Sequence, residues 1–435
     1  MSNYIRNIND SMTNLISELS KNPSLFLKNP KKDFTRNRKI DFKTLIGITM
    51  NSSGGTMRKE LLDFFDFDVN TPTVSAYSQQ RSKVLPEAFE YLFRMFTEEN
   101  LPIAKEYLGH RLIACDGSNL SIATNPDDPE TAWKNNQYDN VMNKLHLNAF
   151  YDISNRIYTD ILIQTASEYN EARACVAMIK KSTLKNVILI ADRGYENYNI
   201  MAHIINKGWK FVIRIKDINS NGIASGLKLP KCDVFDRDIT LVFTRKNTKE
   251  TKAAGYRWMP ANQMFDYLPP KSEKTYELSF RIVRFPIGED SYEVIVTNLD
   301  RFQFSVEKIK EIYHLRWGIE TSFRELKYAV GLTSFHAKKP DYIKQEIYAK
   351  LLLYNYCELI TTHVIQQMEK KDKTKQVNFT AAIYICREYL RQKRNLSPPD
   401  VIKLIEKQIL PVRPGRKDPR KVKAQAAVSF LYRIA

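Results

Sequence analysis

The sequence predicts an α/β fold, in which a core with a mixed sheet flanked by helices is interrupted by a β-rich insertion and bordered by helical regions at both ends. Two short apolar runs, residues 111–116 and 187–192, each end in an aspartate. Strand-like segments follow one another after the first run and alternate with helical segments around the second. Such an order is typical of a mixed sheet covered by helices.

Composition narrows the class of protein. The 435 residues include 67 Lys and Arg against 49 Asp and Glu, a net charge of +18, which favours nucleic acid as a partner over a basic surface without that role. Five Cys without a Cys-x-x-Cys pair and six His without a His-x-x-x-His pair predict neither a zinc site nor a disulfide framework. No apolar run approaches the roughly 18 residues of a membrane span, so we expect a cytoplasmic protein without membrane association.

Residues 1–105 are predicted to be helical. Asp41 and Thr56 precede apolar segments as N-caps, and Pro86 opens a third helix. Basic residues are dense over 28–43, where either a DNA-facing arm or a solvated loop explains them. We predict that this region is a DNA-binding domain, although no helix-turn-helix pattern identifies the element that reads bases.

The core is predicted in two parts. Residues 106–216 form its first part, and alternating stretches with Pro and Gly between them predict a β-rich insertion over 217–304. Residues 305–335 complete the core with a helix that begins near Ser305. Residues 336–435 are predicted to be helical and to end in a basic tail.

The most informative segment is residues 313–327, which we predict to be one helix. At about 100° per residue, Arg316, Glu320 and Lys327 fall roughly 20–60° to one side of Tyr313. The adjoining arc is apolar, so packing can hold this polar stripe rigidly at the edge of a cleft. A carboxylate between two cations suits metal binding next to phosphate, and an ordinary i,i+4 ion pair on a solvated face is the alternative.

Two aspartates upstream complete a candidate metal site. Asp116 and Asp192 each follow an apolar strand, and with Glu320 they could converge at one edge of a sheet. Phosphodiester cleavage needs a strong nucleophile and charge relief, which two Mg²⁺ or Mn²⁺ ions roughly 3.5–4 Å apart supply. Hard cations prefer carboxylate oxygens. An aspartate after a strand is often only a turn cap, so the combination, not each residue alone, favours the site.

These residues lie in motifs that match a known family. The Asp-Gly-Ser at Asp116, the Asp-Arg-Gly-Tyr at Asp192 and the Tyr-x2-Arg-x3-Glu-x6-Lys at Tyr313 resemble DDE transposases of prokaryotic insertion sequences. The last motif is the YREK signature of insertion-sequence family four. The resemblance covers essentially the whole chain, and the long gap between Asp192 and Glu320 fits the β-rich insertion that this family carries there.

The resemblance implies an RNase H-like core in which Asp116, Asp192 and Glu320 bind two Mg²⁺ ions, with Mn²⁺ as a substitute. It implies a DNA transposase that cuts double-stranded DNA at terminal inverted repeats and joins the freed 3′ ends to target DNA, by cut-and-paste movement. The family's DNA-contacting positions correspond to Tyr313, Arg316 and Lys327. It also implies a homodimer on paired ends and a nucleoid-associated protein.

The sequence departs from the family pattern at one point, which concerns a hairpin intermediate. Some hairpin-forming relatives stack a flipped base on a Trp late in the insertion, and no Trp lies around residues 292–296. Tyr292 is the nearest aromatic residue and is either a base-stacking residue or a strand core residue. Two other functions stay open: a catalytically inactive DNA-binding regulator of transposition and an RNase H-like nuclease without strand transfer. The complete carboxylate set argues against the first, and the YREK stripe against the second.

Overall fold

The computed structural model describes most of the chain: residues 3–101, 105–134, 141–230, 232–289, 291–369, 375–391 and 399–411. The predicted basic tail, residues 413–423, lies outside this part. Across the described residues, no helix combines the length and the apolar character needed to cross a membrane. The helices are α1 (Asn3–Lys21), α2 (Phe42–Asn51), α3 (Met57–Phe64), α4 (Val74–Arg81), α5 (Glu87–Asn100), α6 (Glu171–Lys181), α7 (Tyr198–Asn206), α8 (Lys249–Ala253), α9 (Val306–Leu315), α10 (Trp317–Arg324), α11 (Pro340–Glu369), α12 (Phe379–Arg391) and α13 (Val401–Lys407).

The strands fall in the first part of the predicted core, in the predicted insertion and near the C-terminus. They are β1 (Arg111–Ile122), β2 (Ala132–Trp133), β3 (Met142–Asp152), β4 (Ile157–Thr165), β5 (Val187–Ala191), β6 (Lys210–Ile215), β7 (Phe235–Thr244), β8 (Arg257–Trp258), β9 (Thr275–Gly288), β10 (Ser291–Thr297), β11 (Lys375–Val377) and β12 (Ile409–Pro411). β11 and β12 pair with each other as a separate two-stranded sheet.

Local capping places several helix starts where the sequence predicts them. Asp41, Thr56 and Ser305 each accept a hydrogen bond from the backbone N–H three residues later, at 2.7, 3.4 and 3.4 Å. These bonds satisfy backbone donors that a helix leaves without internal partners. α5 begins directly after Pro86, which supplies a fixed φ at the first turn. The predicted helix starts are therefore confirmed.

One mixed sheet joins the remaining strands of the described residues. Its order is β2-β3-β1-β5-β6-β10-β9-β7-β8, and β4 also pairs with β3. β1, β5 and β6 run parallel, whereas β3 and β4 are antiparallel to their neighbours. The predicted mixed sheet flanked by helices is confirmed, and the RNase H-like class stays a prediction.

The strands of the predicted insertion extend this sheet. β10 pairs antiparallel with β6, and β9, β7 and β8 follow outward from it. Sequence pattern reveals the strand content of residues 217–304 but not their partner, because pairing with β6 depends on residues about 80 positions away in the chain. The segment therefore widens the sheet instead of forming a sheet of its own.

Alternate residues of β1 and β5 separate the two sides of the sheet. Ile113 and Cys115 pack with α6 and α7 in one apolar cluster. Leu112 and Ile190 pack with α9 on the other side, where Ala114 joins α10 and the terminal helices. We call this second side the α10 face.

The helical regions at the two ends form one layer on the α10 face. α11 is buried over most of its length and packs against α1, α2 and α5, as well as against β4. Residues of the N-terminal helices, α11, α12 and α13 share one apolar cluster. This helical layer therefore holds α10 in a fixed position.

Candidate active site

Strand register brings Asp116 and Asp192 side by side. β1 and β5 run parallel, and Cys115 pairs with Ala191 at the last position of their ladder. The residue that follows each member of this pair is an aspartate, Asp116 after Cys115 and Asp192 after Ala191. The residues two positions before these aspartates, Ala114 and Ile190, are apolar and lie on the α10 face. Because side chains alternate along a strand, both carboxylates face α10.

The prediction that Asp116 ends its strand is wrong. β1 continues to Ile122 because β3 pairs with it along the whole stretch, whereas β5 stops at Ala191. Asp116 therefore lies where β1 no longer has β5 beside it, and 21% of the Asp116 side chain is exposed. Asp192 directly follows the last residue of β5, and its Oδ1 accepts a hydrogen bond of 2.8 Å from the Gly194 N–H. Each aspartate is thus held by backbone that cannot shift without disturbing the sheet.

The predicted single helix over residues 313–327 is interrupted. α9 ends at Leu315, α10 begins at Trp317, and a π-helical turn follows over Glu325–Ala329. The backbone tightens at Arg316, because its N–H donates to the carbonyl of Tyr313, three residues earlier. In a continuous α-helix it would donate to the carbonyl of Ile312, four residues earlier. The polar stripe stays on one side of the two helices despite this break, and Arg316 lies at the junction between α9 and α10.

Arg316 connects two of the predicted carboxylates. Its guanidinium lies 2.8 Å from Glu320 and 3.8 Å from Asp116. The rings of Tyr313 and Trp317 lie 5.7 and 5.2 Å from the guanidinium carbon. The Arg316 side chain is only 6% exposed, whereas 36% of the Glu320 side chain is exposed. A buried cation therefore holds Asp116 and Glu320 on either side of itself, which is a structural role that the i,i+4 spacing alone does not reveal.

The electrostatics at Asp116 indicate a site that favours cations. Burial, together with the carboxylates of Asp192 and Glu320, raises the pKa of Asp116, whereas the Gly117 N–H and Arg316 lower it, and the net result is a pKa of about 7. Like charges at short range disfavour a third negative charge unless a cation neutralises them. Three carboxylates and no sulfur or imidazole match the oxygen ligands that Mg²⁺ and Mn²⁺ prefer.

The side chains of Asp116, Asp192 and Glu320 are not arranged as a metal-binding group in this structure. Across the part of the chain that the structure describes, no three His, Cys, Asp or Glu side chains are arranged to hold a metal ion. Arg316 instead lies between Asp116 and Glu320. The donor chemistry fits a hard divalent cation, and the metal role of Asp116, Asp192 and Glu320 stays a prediction.

The other two stripe residues differ in exposure. Tyr313 is 4% exposed, and burial raises the pKa of its hydroxyl. Lys327 lies in the π turn, is half-buried, and burial lowers the pKa of its ammonium group. Tyr313 therefore supports Arg316 from within the protein, and Lys327 is the more accessible of the two for a phosphate. Their predicted DNA contacts stay predictions.

Tyr292 lies on β10 beside an arginine. The guanidinium carbon of Arg284 is 3.8 Å from the centre of its ring, and Arg284 is itself held by Asp217 at 2.9 Å. One face of the ring is thus covered by a fixed cation. Base stacking would have to use the other face, and this predicted role stays a prediction.

A histidine–glutamate pair beside the aspartates was missed by sequence reasoning. His146 Nε2 on β3 lies 3.1 Å from Glu171 Oε1 at the start of α6. A Cβ on Gly117 would lie 2.3 Å from His146 Nε2 and 2.6 Å from Glu171 Oε1, so only glycine permits this approach next to Asp116. The Asp-Gly pair was the available signal, since glycine in a strand often marks close approach.

The family of the chain follows from comparison with known proteins. Residues 107–356 match the family described as transposase DDE domain. This span begins just before β1 and ends within α11, and it contains Asp116, Asp192 and Glu320.

Individual relatives agree. The chain is 25% identical over 267 residues to the Escherichia coli K12 protein named transposase InsL of insertion sequence element IS186A, a match covering 56% of this chain and 64% of that protein. The transposase of insertion sequence element IS421 from Escherichia coli gives the same identity and coverage. The chain thus spans less than two thirds of these relatives.

Among solved structures, the piggyBac transposase synaptic complex with hairpin DNA is similar at a TM-score of 0.46 and 9% identity, over 95% of this chain and 87% of that chain. A similarity of this size adds nothing to the assignment, which depends on the family match over more than half of the sequence. The chain belongs to the transposases that carry a DDE domain.

Proposed function

We propose that this protein is a DNA transposase that cuts a phosphodiester at each end of an insertion sequence and joins the freed 3′ end to target DNA. The observation that carries the proposal is the meeting of Asp116 and Asp192 on adjacent strands, with Glu320 held opposite Asp116 through Arg316. In a chain of the DDE family, this arrangement supports cleavage chemistry at that position.

The reaction consists of two phosphoryl transfers. In the first, water attacks a phosphorus atom at the transposon end, the P–O3′ bond breaks, and a 3′-hydroxyl is released. In the second, that hydroxyl attacks a target phosphodiester and displaces the target's own 3′ oxygen. Atoms balance without any external oxidant or energy source, because each step exchanges one ester bond for another or for water.

We propose that Asp116, Asp192 and Glu320 hold two Mg²⁺ ions, with Mn²⁺ as a substitute. When bound, such ions supply an activated water and neutralise charge on the scissile phosphate. The raised pKa of Asp116 supports this assignment, since it indicates a carboxylate that gains from a nearby cation, and the 36% exposed side chain of Glu320 is accessible to an ion.

We propose that Arg316, Tyr313 and Lys327 position DNA next to these carboxylates, as the YREK pattern implies. Arg316 is the best placed, because its guanidinium already lies between Asp116 and Glu320 and presents several donors to a planar acceptor. Lys327 lies one helical segment further along and adds a charge that can contact a more distant phosphate.

The partners proposed are double-stranded DNA at the terminal inverted repeats, target DNA and a second copy of the chain on paired ends. A net charge of +18 supports the DNA partner. A nucleoid-associated location in a prokaryotic cytoplasm follows from the same proposal. Hairpin formation at the ends is part of the proposal, with Tyr292 stacking a base on the ring face opposite Arg284.

The test uses a duplex that ends in the terminal repeat of the insertion sequence, with Mg²⁺ or Mn²⁺, and target plasmid in the same tube. Wild type is compared with Glu320→Ala and with a matched control, Glu307→Ala, which alters an exposed glutamate of α9. We expect nicking and joining by wild type and by the control, and neither by Glu320→Ala.

Each other outcome has a defined meaning. Nicking without joining supports a nuclease without strand transfer, and specific binding without nicking supports an inactive regulator. A Glu320→Ala protein that nicks at the wild-type rate would remove Glu320 from the site. A slow-moving product on a denaturing gel would report hairpin ends.

A further inference from the structure

The exposed side of α4 is uncharged, although the chain is strongly basic. Ser78, Gln79 and the C-cap residue Ser82 lie three, four and seven residues after Ser75 and so form one stripe with it. The first three are exposed, and Ser82 is partly exposed. The stripe therefore offers hydroxyl and amide groups to solvent, with no charge among them.

The opposite side of α4 is anchored in the protein. The guanidinium of Arg81 donates to Gln345 and Glu346 of α11 at 2.8 Å each and also to the carbonyl of Tyr342. The hydroxyl of Tyr77 lies 3.0 Å from that of Thr49 on α2. Because Tyr77 and Arg81 are both at least 96% buried, the helix cannot rotate to hide its polar stripe without breaking these bonds.

A cluster of cations lies beside this helix. A cavity of about 380 Å³, which we call the basic cavity, is lined by Gln80 of α4 and by the cations Lys31, Lys32, Arg36, Arg38 and Lys83. Lys31, Lys32, Arg36 and Arg38 form no ion pair with a carboxylate among the described residues.

The acidic residue of this loop is turned away from solvent. Asp33, the one acid between residues 28 and 39, is 9% exposed, and its Oδ2 accepts a 2.9 Å hydrogen bond from the Asn29 N–H. The loop cations of the basic cavity are thus exposed while this carboxylate is not, and Arg58 adds an exposed cation on the other flank, in the cavity that Asp68, Val74 and Ser75 also line.

We infer that α4 is the helix that reads bases in the DNA major groove and that the basic cavity holds the phosphate backbone next to it. The major groove admits one α-helix, a glutamine pairs with adenine through two hydrogen bonds, and serine serves either base type. Phosphate contacts from Lys and Arg fix the position of such a helix without reading sequence. The inference deepens the proposed function, on which it rests, by naming the surface that recognises the transposon end.

The first test separates base reading from phosphate contact. Binding to an end duplex and to a scrambled duplex is measured over a salt series for wild type, Gln79→Ala, Arg36→Gln/Arg38→Gln, and the control Gln263→Ala, which alters an exposed glutamine far along the chain. We expect Gln79→Ala to bind the end duplex about tenfold more weakly and the scrambled duplex unchanged. The double variant should bind both duplexes more weakly, with a salt slope lower by about two.

A second measurement keeps the test independent of protein folding. Single adenines of the end duplex are replaced by 7-deazaadenine, which lacks the major-groove N7 acceptor. One position should weaken wild-type binding and have no further effect on Gln79→Ala. Equal sensitivity of both proteins at every position would overturn the assignment of Gln79.

The outcomes also separate this inference from the proposed function. A Gln79→Ala protein with the wild-type preference for the end duplex, or a wild type without any preference, overturns base reading by α4. A wild type that prefers the end duplex through α4 but never cuts it retains the inference and contradicts the transposase proposal.

Discussion

The ion pair between Arg81 and Glu346 offers a quantitative test of how the helical layer is held together. The two side chains are 5% and 1% exposed, and Nη1 of Arg81 lies 2.8 Å from Oε1 of Glu346. The backbone N–H of His336 also donates to Glu346 Oε2 at 2.9 Å. Glu346→Gln keeps the shape of the side chain and removes its charge, so it leaves Arg81 buried without a counter-charge.

The size of the effect follows from the pKa. Burial by itself raises the pKa of Glu346, but Arg81 and His336 lower it to about 2, from an ordinary value of 4.5. At about 1.4 kcal/mol per pKa unit, this difference makes the charged form stabilise the fold by about 3 kcal/mol. Because the folded-state pKa is the lower one, that stabilisation is complete above pH 4.5 and is lost as the pH falls towards 2.

The assay is urea denaturation followed by circular dichroism, between pH 3 and pH 7. The control is Asp341→Asn, which removes an exposed carboxylate from the first turn of the same helix. Glu346→Gln should lower the free energy of unfolding by about 3 kcal/mol at pH 7. The difference from wild type should shrink as the pH approaches 3. A variant as stable as wild type at pH 7, or a difference independent of pH, would show that this ion pair does not stabilise the fold.

Three further predictions concern the candidate active site. Gly117→Ala should reduce cleavage at least tenfold in a folded protein, because its Cβ would lie 2.3 Å from the neighbouring imidazole, whereas Gly54→Ala, with nothing nearer than 3.8 Å, should cleave normally. Arg316→Gln should weaken binding of the end duplex and lower the salt slope by about one in binding isotherms, and an unchanged slope would restrict this arginine to holding carboxylates. Tyr292→Ala should reduce hairpin product on denaturing gels by about tenfold if its ring stacks a base, while Tyr292→Phe should not.

Local signals made much of the fold predictable. Apolar runs ending in aspartate identified β1 and β5, and side-chain caps such as Asp41 and Ser305 located helix starts, because each depends on residues within one turn. Asp116 and Asp192 take neighbouring positions because β1 and β5 run parallel, although β1 continues past Asp116.

Features set by distant residues could not be predicted. The extension of β1 to Ile122 requires β3 as a partner, and the addition of β10 to the sheet requires β6. The burial of Arg316 between two carboxylates depends on how α10 meets the sheet, which helical periodicity does not specify. His146 and Glu171 lie on different elements, and only the packing around Gly117 brings them together.

The central claim is that Asp116, Asp192 and Glu320 form one metal centre. The most direct test is cleavage of the protein backbone by Fe²⁺ in place of Mg²⁺, with ascorbate and peroxide, in the presence of the end duplex. We expect cuts near residues 116, 192 and 320 that excess Mg²⁺ suppresses and that Glu320→Ala reduces at all three positions. Cuts that avoid one of these segments, or that persist in excess Mg²⁺, would contradict it.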